Sequence, residues 1–108
     1  MKNSSIIWKS PQADSLASAL LSIDDFKLMK SFLRDIMTEK EITELSKRLR
    51  AADMLIASEK YTNVARVTGL SSRTIARISD WIKQDNGGYQ TVINNLKSHH
   101  SHILPARD

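Results

Sequence analysis

Gly69 divides the stretch from residue 61 to residue 83 into two short segments, each with helical periodicity. Glycine adopts a left-handed backbone conformation without steric cost, so the first segment is predicted to end there. Ser71 follows as a predicted N-cap of the second segment. Ala65 is small enough for two helix backbones to cross closely. The aliphatic residues that would hold the pair on a core are Val64, Leu70, Ile75 and Ile78. This order of residue types is typical of a helix-turn-helix.

The second helix of this pair, the recognition helix, is predicted to keep a polar face outside the core. At about 100° per residue, its predicted inward residues are Ile75, Ile78, Trp81 and Ile82. The predicted outward residues are Ser72, Arg73, Ala76, Ser79, Asp80 and Lys83, with Arg77 at the margin. Small residues permit close approach to a DNA groove, hydroxyls can bond to base edges, and arginines reach guanine or phosphate. The alternative is an antiparallel helix pair with a solvated basic face.

The formal net charge of +4 is concentrated on this helix pair. Residues 60–83 contain five lysines and arginines against Asp80 alone, whereas residues 39–59 contain four against five acidic side chains. The excess favours a polyanionic partner, and double-stranded DNA is the polyanion that a helix-turn-helix reads.

The rest of the chain is also predicted to be helical, because no segment shows sustained alternation of apolar and polar residues. We therefore expect an all-α fold of five to six helices. Residues 1–9 lack periodicity and are predicted to form a flexible arm. Ser10 and Pro11 predict the start of a helix. Ser22 is followed by Asp24 and Asp25, and it is predicted to be the N-cap of a second helix that ends near Asp35.

Thr38 and Glu41 have the spacing of a capping box, which predicts the start of a long helix that runs to about Ser58. Thr62 is then predicted to cap a short helix that ends at Thr68. The recognition helix should continue to about residue 85, followed by a turn over residues 86–88 and a last helix over residues 89–98. Residues 99–108 are predicted to be a flexible tail.

The composition argues against several classes of site. The chain has no cysteine, which excludes disulfides and thiolate metal sites and favours a cytoplasmic protein. No apolar run approaches the roughly 20 residues of a membrane span. His99, His100 and His102 lie in a tail without a nearby carboxylate or cysteine, so no metal site is predicted. Neither a nucleophile elbow nor a phosphate loop is present, so we predict no enzyme and no cofactor.

Short motifs between Met37 and Lys83 resemble the Trp repressor family, and particularly its YerC-like, Trp-repressor-related branch. They are Met37-Thr38 before the charged helix opening, Leu45 and Arg48 in that helix, and Thr74-Ile75-Ala76-Arg77 in the recognition helix. The segment Asp85-Asn86-Gly87-Gly88-Tyr89 is similar to one in the YerC-like branch. The resemblance covers about residues 15–97 and implies an intertwined homodimer, with residues 10–98 as one Trp-repressor-like helical domain.

The resemblance also implies a corepressor site for tryptophan between the long helix and the recognition helix. Thr38, Arg48 and Arg77 match the residues that hold the ligand in tryptophan-binding members. Ile78, however, stands where those members have a glycine, and Trp81 stands where they have a serine. Trp81 is interpreted either as an ordinary core residue or as a built-in substitute that fills the pocket. We therefore predict DNA binding without tryptophan.

Together these features predict a homodimeric, sequence-specific DNA-binding transcriptional regulator, with repression as the favoured mode. Ser72, Arg73 and Ala76 are the predicted base contacts, and the predicted phosphate contacts are Thr62, Arg77 and Lys83. The alternative is a protein-interaction module that keeps the helix-turn-helix shape and docks on the transcription machinery.

Overall fold

The computed structural model describes residues 4–84 and 87–99, and every regular element in them is a helix. The elements are α1 (Ser4–Ile7), α2 (Pro11–Leu21), α3 (Phe26–Ile36), α4 (Glu39–Ile56), α5 (Tyr61–Thr68), α6 (Ser72–Lys83) and α7 (Gly88–His99). The predicted all-α class is confirmed for these residues. The single helical turn of α1 lies in the segment for which the sequence predicts an arm.

The chain divides into two compact units, the first ending at Leu45 and the second beginning at Ser46. In the first unit, the starts of α2 and α4 follow the predicted capping chemistry. The Ser10 hydroxyl accepts from the amide of Ala13 at 3.3 Å. The capping box at the start of α4 is reciprocal, with the amide of Glu41 donating to the Thr38 hydroxyl at 3.1 Å and the amide of Thr38 donating to the Glu41 carboxylate at 2.9 Å.

Ser22 does not cap α3, so that prediction was wrong. Its hydroxyl donates to the carbonyl of Ala19 at 2.8 Å and closes α2 instead. Asp25 caps α3 by accepting from the amide of Leu28 at 2.7 Å. A carboxylate is a stronger acceptor than a hydroxyl for the free amides at the positive end of a helix, which explains why the aspartate takes this position.

The helices α2 and α3 bury none of their side chains in this chain. Leu21 is 87% exposed and Phe26 is 63% exposed, and Leu28 is also exposed. Apolar residues that recur at helical spacing normally pack against another element. The first unit therefore presents an apolar surface that its own residues leave uncovered.

The second unit has a closed core built from the end of α4 together with α5, α6 and α7. Its buried apolar residues are Ala51, Ala52, Met54, Val64, Leu70, Ile75, Ile78 and Ile93. Tyr89 packs against this cluster from the start of α7. Near the other end of α7, Lys97 pairs with Asp53 of α4 at 3.0 Å. The helix that follows the recognition helix is thus attached to the core along its length.

Thr62 does not cap α5, so this prediction was also wrong. The chain turns at Ser58, whose φ is 67°, and is extended at Lys60, so the helix begins at Tyr61. Lys60 is the N-cap and makes no side-chain hydrogen bond. Thr62 lies exposed inside the first turn.

The predicted elements at the C-terminal end lie partly within the described residues. The helix α6 ends at Lys83, and Gln84 follows as its C-cap. The predicted continuation to Asp85, the turn residue Asn86 and the tail from residue 100 onward lie outside the described residues. The last helix runs one residue beyond the predicted end and finishes at His99.

Candidate nucleic-acid interface

The turn between α5 and α6 is fixed by backbone and side-chain hydrogen bonds. Gly69 has the predicted left-handed conformation, with φ of 76°, and its amide donates to the carbonyl of Ala65 at 2.8 Å. The Thr68 hydroxyl donates to the carbonyl of Val64 at 2.7 Å and accepts from the amide of Leu70 at 3.2 Å. Thr68 is buried, and the sequence prediction did not assign it this role. A threonine directly before a helix-ending glycine was the available signal.

Ser71 caps the recognition helix as predicted. Its hydroxyl accepts from the amide of Thr74 at 3.2 Å and lies 3.1 Å from the Thr74 hydroxyl. On the inward side, α6 buries Ile75 and Ile78 in the core. The helix is therefore held by its cap at the start and by aliphatic contacts along one side.

The outward side of α6 is polar and cationic. The residues predicted to face outward and found exposed are Ser72, Arg73, Ala76, Arg77, Asp80 and Lys83. Ser79 is an exception, because it is only 8% exposed. At 100° per residue it lies about 40° from Ile75, on the core side of the helix, and its predicted outward position was wrong.

A chain of side-chain hydrogen bonds crosses the outer surface of α5. Asn63 donates to the carboxylate of Glu59 and accepts from the guanidinium of Arg66. Arg66 is exposed and is oriented by these contacts. The sequence prediction did not include it among the contact residues, although the spacing of Glu59, Asn63 and Arg66 is that of neighbours on a helical surface. Arg66 adds a positioned cation to the same helix pair.

Trp81 does not join Ile78 in the core. Its side chain is 40% exposed, whereas Ile78 is 2% exposed. At 100° per residue Trp81 lies about 120° from Ile75, too far around the helix to enter the cluster. The interpretation of Trp81 as an ordinary core residue was therefore wrong for this chain.

The residues matched to the family's corepressor site differ in their environments. Thr38 lies exposed in the first unit, and Arg77 is exposed on α6. Arg48 is half-buried in the second unit, near Tyr89 of α7. Burial raises the pKa of the Tyr89 phenol, and the positive charge of Arg48 acts in the opposite direction. The charge of Arg48 therefore acts on the tyrosine of α7.

The sequence predicts neither a metal site nor a membrane span. Among residues 4–84 and 87–99, no group of three or more histidines, cysteines, aspartates and glutamates is arranged to hold a metal ion. His100 and His102 lie outside these ranges. In the same ranges, no helix has both the length and the apolar composition needed to cross a membrane.

Comparison with known proteins identifies a family with this arrangement of helices. The model of the family described as Trp repressor protein matches residues 11–97. The structure is similar to that of a TrpR-like protein from Eubacterium eligens, with 32% identity, a TM-score of 0.75, and coverage of 86% of this chain and 96% of that chain. It is also similar to a candidate Trp repressor from Staphylococcus aureus, with 26% identity, a TM-score of 0.73, and coverage of 82% and 88%.

The comparison with curated proteins gave no match. The predicted family and its all-helical fold are confirmed, while the YerC-like branch within the family stays a prediction. The family model matches residues 11–97, and this range contains the helix-turn-helix. The chain therefore belongs to the Trp repressor family.

Proposed function

We propose that this chain is a homodimeric, sequence-specific DNA-binding transcriptional regulator that acts in the cytoplasm, with repression as the favoured mode. The observation that carries the proposal is the division of α6 into a buried aliphatic side and an exposed side with serine, alanine and arginines near its start. Such a helix can enter the major groove with its N-terminal end first. Membership of a family of DNA-binding regulators supports the same function.

The proposed contacts divide between bases and phosphates. Ser72, Arg73 and Ala76 are exposed in the first turns of α6 and are proposed to meet base edges. The cations Arg77 and Lys83 are proposed to meet phosphates. Thr62 is proposed as a phosphate contact at the start of α5, where the N-cap makes no side-chain bond and helix amides are available to an anion.

The homodimer is supported by the uncovered apolar surface of the first unit. Monomeric soluble proteins seldom leave a large apolar patch exposed, whereas dimer interfaces are built from such patches. Two copies would also present two recognition helices to one DNA duplex.

We further propose that DNA binding is independent of tryptophan. Ile78 is buried where the resemblance implies a glycine, so its side chain takes volume that a ligand would need. Isothermal titration with L-tryptophan is expected to show no saturable heat. Saturable binding at micromolar concentration would contradict this.

Selection of bound sequences from a random duplex pool tests the function directly, and a palindromic consensus is the expected result. Retention on duplex DNA should fall steeply as salt rises, because bound cations displace counterions from the phosphates. A chain that is not retained even at low salt would refute the proposal and favour a protein-docking module.

A further inference from the structure

The hydrogen-bonded side chains of Glu59, Asn63 and Arg66 form a polar cluster on α5. The Asn63 amide nitrogen donates to the Glu59 carboxylate, and the Asn63 amide oxygen accepts from the guanidinium of Arg66. Arg66 belongs to the last turn of α5, whereas Asn63 lies one turn nearer the start of the helix. The hydrogen bond therefore directs the guanidinium back towards the first turn of α5.

Arg66 lies on the same side of α5 as Thr62, which is a proposed phosphate contact. At 100° per residue, each of the two is about 160° from the buried Val64, and they are about 40° from each other. Both residues are exposed. Because the guanidinium reaches back one turn on this side, Arg66 and Thr62 can meet neighbouring phosphates of one DNA strand.

The polar cluster orients Arg66 without neutralising it. A carboxylate paired directly with the guanidinium would compensate its charge, and a phosphate would have to displace that carboxylate. Asn63 is uncharged and stands between the Glu59 carboxylate and the guanidinium. Its amide engages one terminal nitrogen, whereas a guanidinium has five N–H donors and binds phosphate through two of them.

The energetics also favour a role in binding for the ordered Arg66. Holding a long, exposed side chain in one position costs conformational entropy, and exposed polar contacts add little to the stability of a fold. The same order is useful when a ligand arrives, because the guanidinium then does not have to be immobilised during binding.

We propose that Arg66 is a further phosphate contact beside Thr62, and that Asn63, held by Glu59, is its positioning residue. The inference rests on the proposed DNA-binding function and adds to it a cation on α5, outside the recognition helix. Arg66 strengthens binding to every sequence alike, since phosphates carry no sequence information of their own.

The first experiment compares Arg66→Gln with the parent by fluorescence anisotropy, on the selected duplex and on a random duplex. For each chain bound, the slope of log affinity against log salt should fall by about 0.9, which is about eightfold in affinity over a tenfold range of salt. The change should be the same on both duplexes. Lys47→Gln is the control, because it removes an equal charge from an exposed position on α4. Circular dichroism checks that both variants keep their helices.

A double-mutant cycle tests the positioning role. Asn63→Ala should weaken binding about two- to tenfold in the parent, because the guanidinium must then be ordered during binding. In an Arg66→Gln background the same substitution should have no effect, since no guanidinium remains to be positioned. Asn94→Ala, at an exposed asparagine on α7, is the control and should be neutral in both backgrounds.

Four outcomes would contradict the inference. If the parent binds the selected duplex and Arg66→Gln binds both duplexes equally well, the contact is refuted while the function stands. A loss confined to one base position would make Arg66 a base contact instead. Equal costs of Asn63→Ala in the two backgrounds would refute the positioning role. A parent that is not retained on duplex DNA at low salt would refute the function and the contact together.

Discussion

Gly87 and Gly88 are neighbours in sequence but differ in the space around them. A Cβ at Gly87 would lie 2.7 Å from the backbone carbonyl oxygen of Trp81 and 3.3 Å from that of Gln84. At Gly88 it would meet nothing within 4 Å. Gly87 therefore permits a close approach of the chain to the end of α6, which any side chain would obstruct.

Gly87→Ala is expected to lower the free energy of unfolding by about 1 to 3 kcal/mol, because backbone must shift to relieve the contact. Gly88→Ala is the control and should leave stability unchanged or slightly raised, since alanine is the better helix former at the first position of α7. Urea unfolding of the two variants measures the difference. Equal free energies of unfolding for the two variants would show that the backbone at the end of α6 shifts without loss of stability.

Arg73 carries the sharpest test of the proposed base contacts. Arg73→Ala should weaken binding to the selected DNA sequence by about 1 to 3 kcal/mol and flatten the preference at one base position. Lys47→Ala removes the same charge from an exposed position on α4 outside the helix pair. Fluorescence anisotropy against a panel of single-base variants gives both effects. An equal loss on every sequence would identify Arg73 as a phosphate contact.

At the scale of elements, the start of α6 depends on one hydroxyl. Ser71→Ala removes the acceptor for the amide of Thr74 and should destabilise the second unit by about 1 kcal/mol. Ser31→Ala, at an exposed site inside α3, should have no such cost. Thermal unfolding followed by circular dichroism distinguishes them. If Ser71→Ala were as stable as the parent, the cap would contribute nothing to the helix.

The attachment of α7 to α4 predicts a dependence on alkaline pH. Burial raises the pKa of Tyr89, so the neutral phenol stabilises the fold fully below pH 10, and this contribution is lost as pH rises through the folded pKa. Tyr89→Phe has no phenol to ionise, and its stability should decline less above pH 10 than that of the parent. Tyr61→Phe is the control and should follow the parent. Urea unfolding from pH 8 to about 11 tests this.

The sequence predicted those elements whose signals are local. The capping box at Thr38, the turn at Gly69 and the cap at Ser71 depend on partners within a few residues, so spacing alone identifies them. The errors arose from competition and from geometry. The N-cap of α3 is Asp25, a better hydrogen-bond acceptor three residues after the predicted Ser22. The N-cap of α5 is the extended Lys60, two residues before the predicted Thr62.

The candidate site was predicted in the same uneven way. The exposed positions of Ser72, Arg73 and Ala76 follow from the helical period, which is a property of the sequence. The same period puts Trp81 about 120° and Ser79 about 40° from Ile75, so the predicted inward position of Trp81 and the predicted outward position of Ser79 were both wrong.

At the scale of the whole molecule, the two units differ in how many of their apolar side chains are buried within the chain. The second unit has a closed core, whereas α2 and α3 of the first bury no side chain. The first unit is therefore expected to owe much of its stability to a second copy, and folding and association should be coupled.

This coupling predicts a melting temperature that rises with protein concentration. Phe26→Ser should weaken the dimer, measured by sedimentation equilibrium, because it removes a ring that is 63% exposed on α3. Lys27→Ser is the control, as a neighbouring exposed residue on the same helix. A melting temperature that is independent of concentration, together with an unchanged Phe26→Ser variant, would contradict the coupling.

The buried hydroxyl of Thr68 has a thermodynamic consequence for recognition. Because it bonds to both the end of α5 and the amide of Leu70, the elbow between the two helices is already ordered in the free protein. The entropic cost of ordering this turn is then incurred during folding and not during binding to DNA. The helix pair should meet its target as a rigid body, with amide hydrogens of the elbow exchanging slowly with solvent both before and after binding.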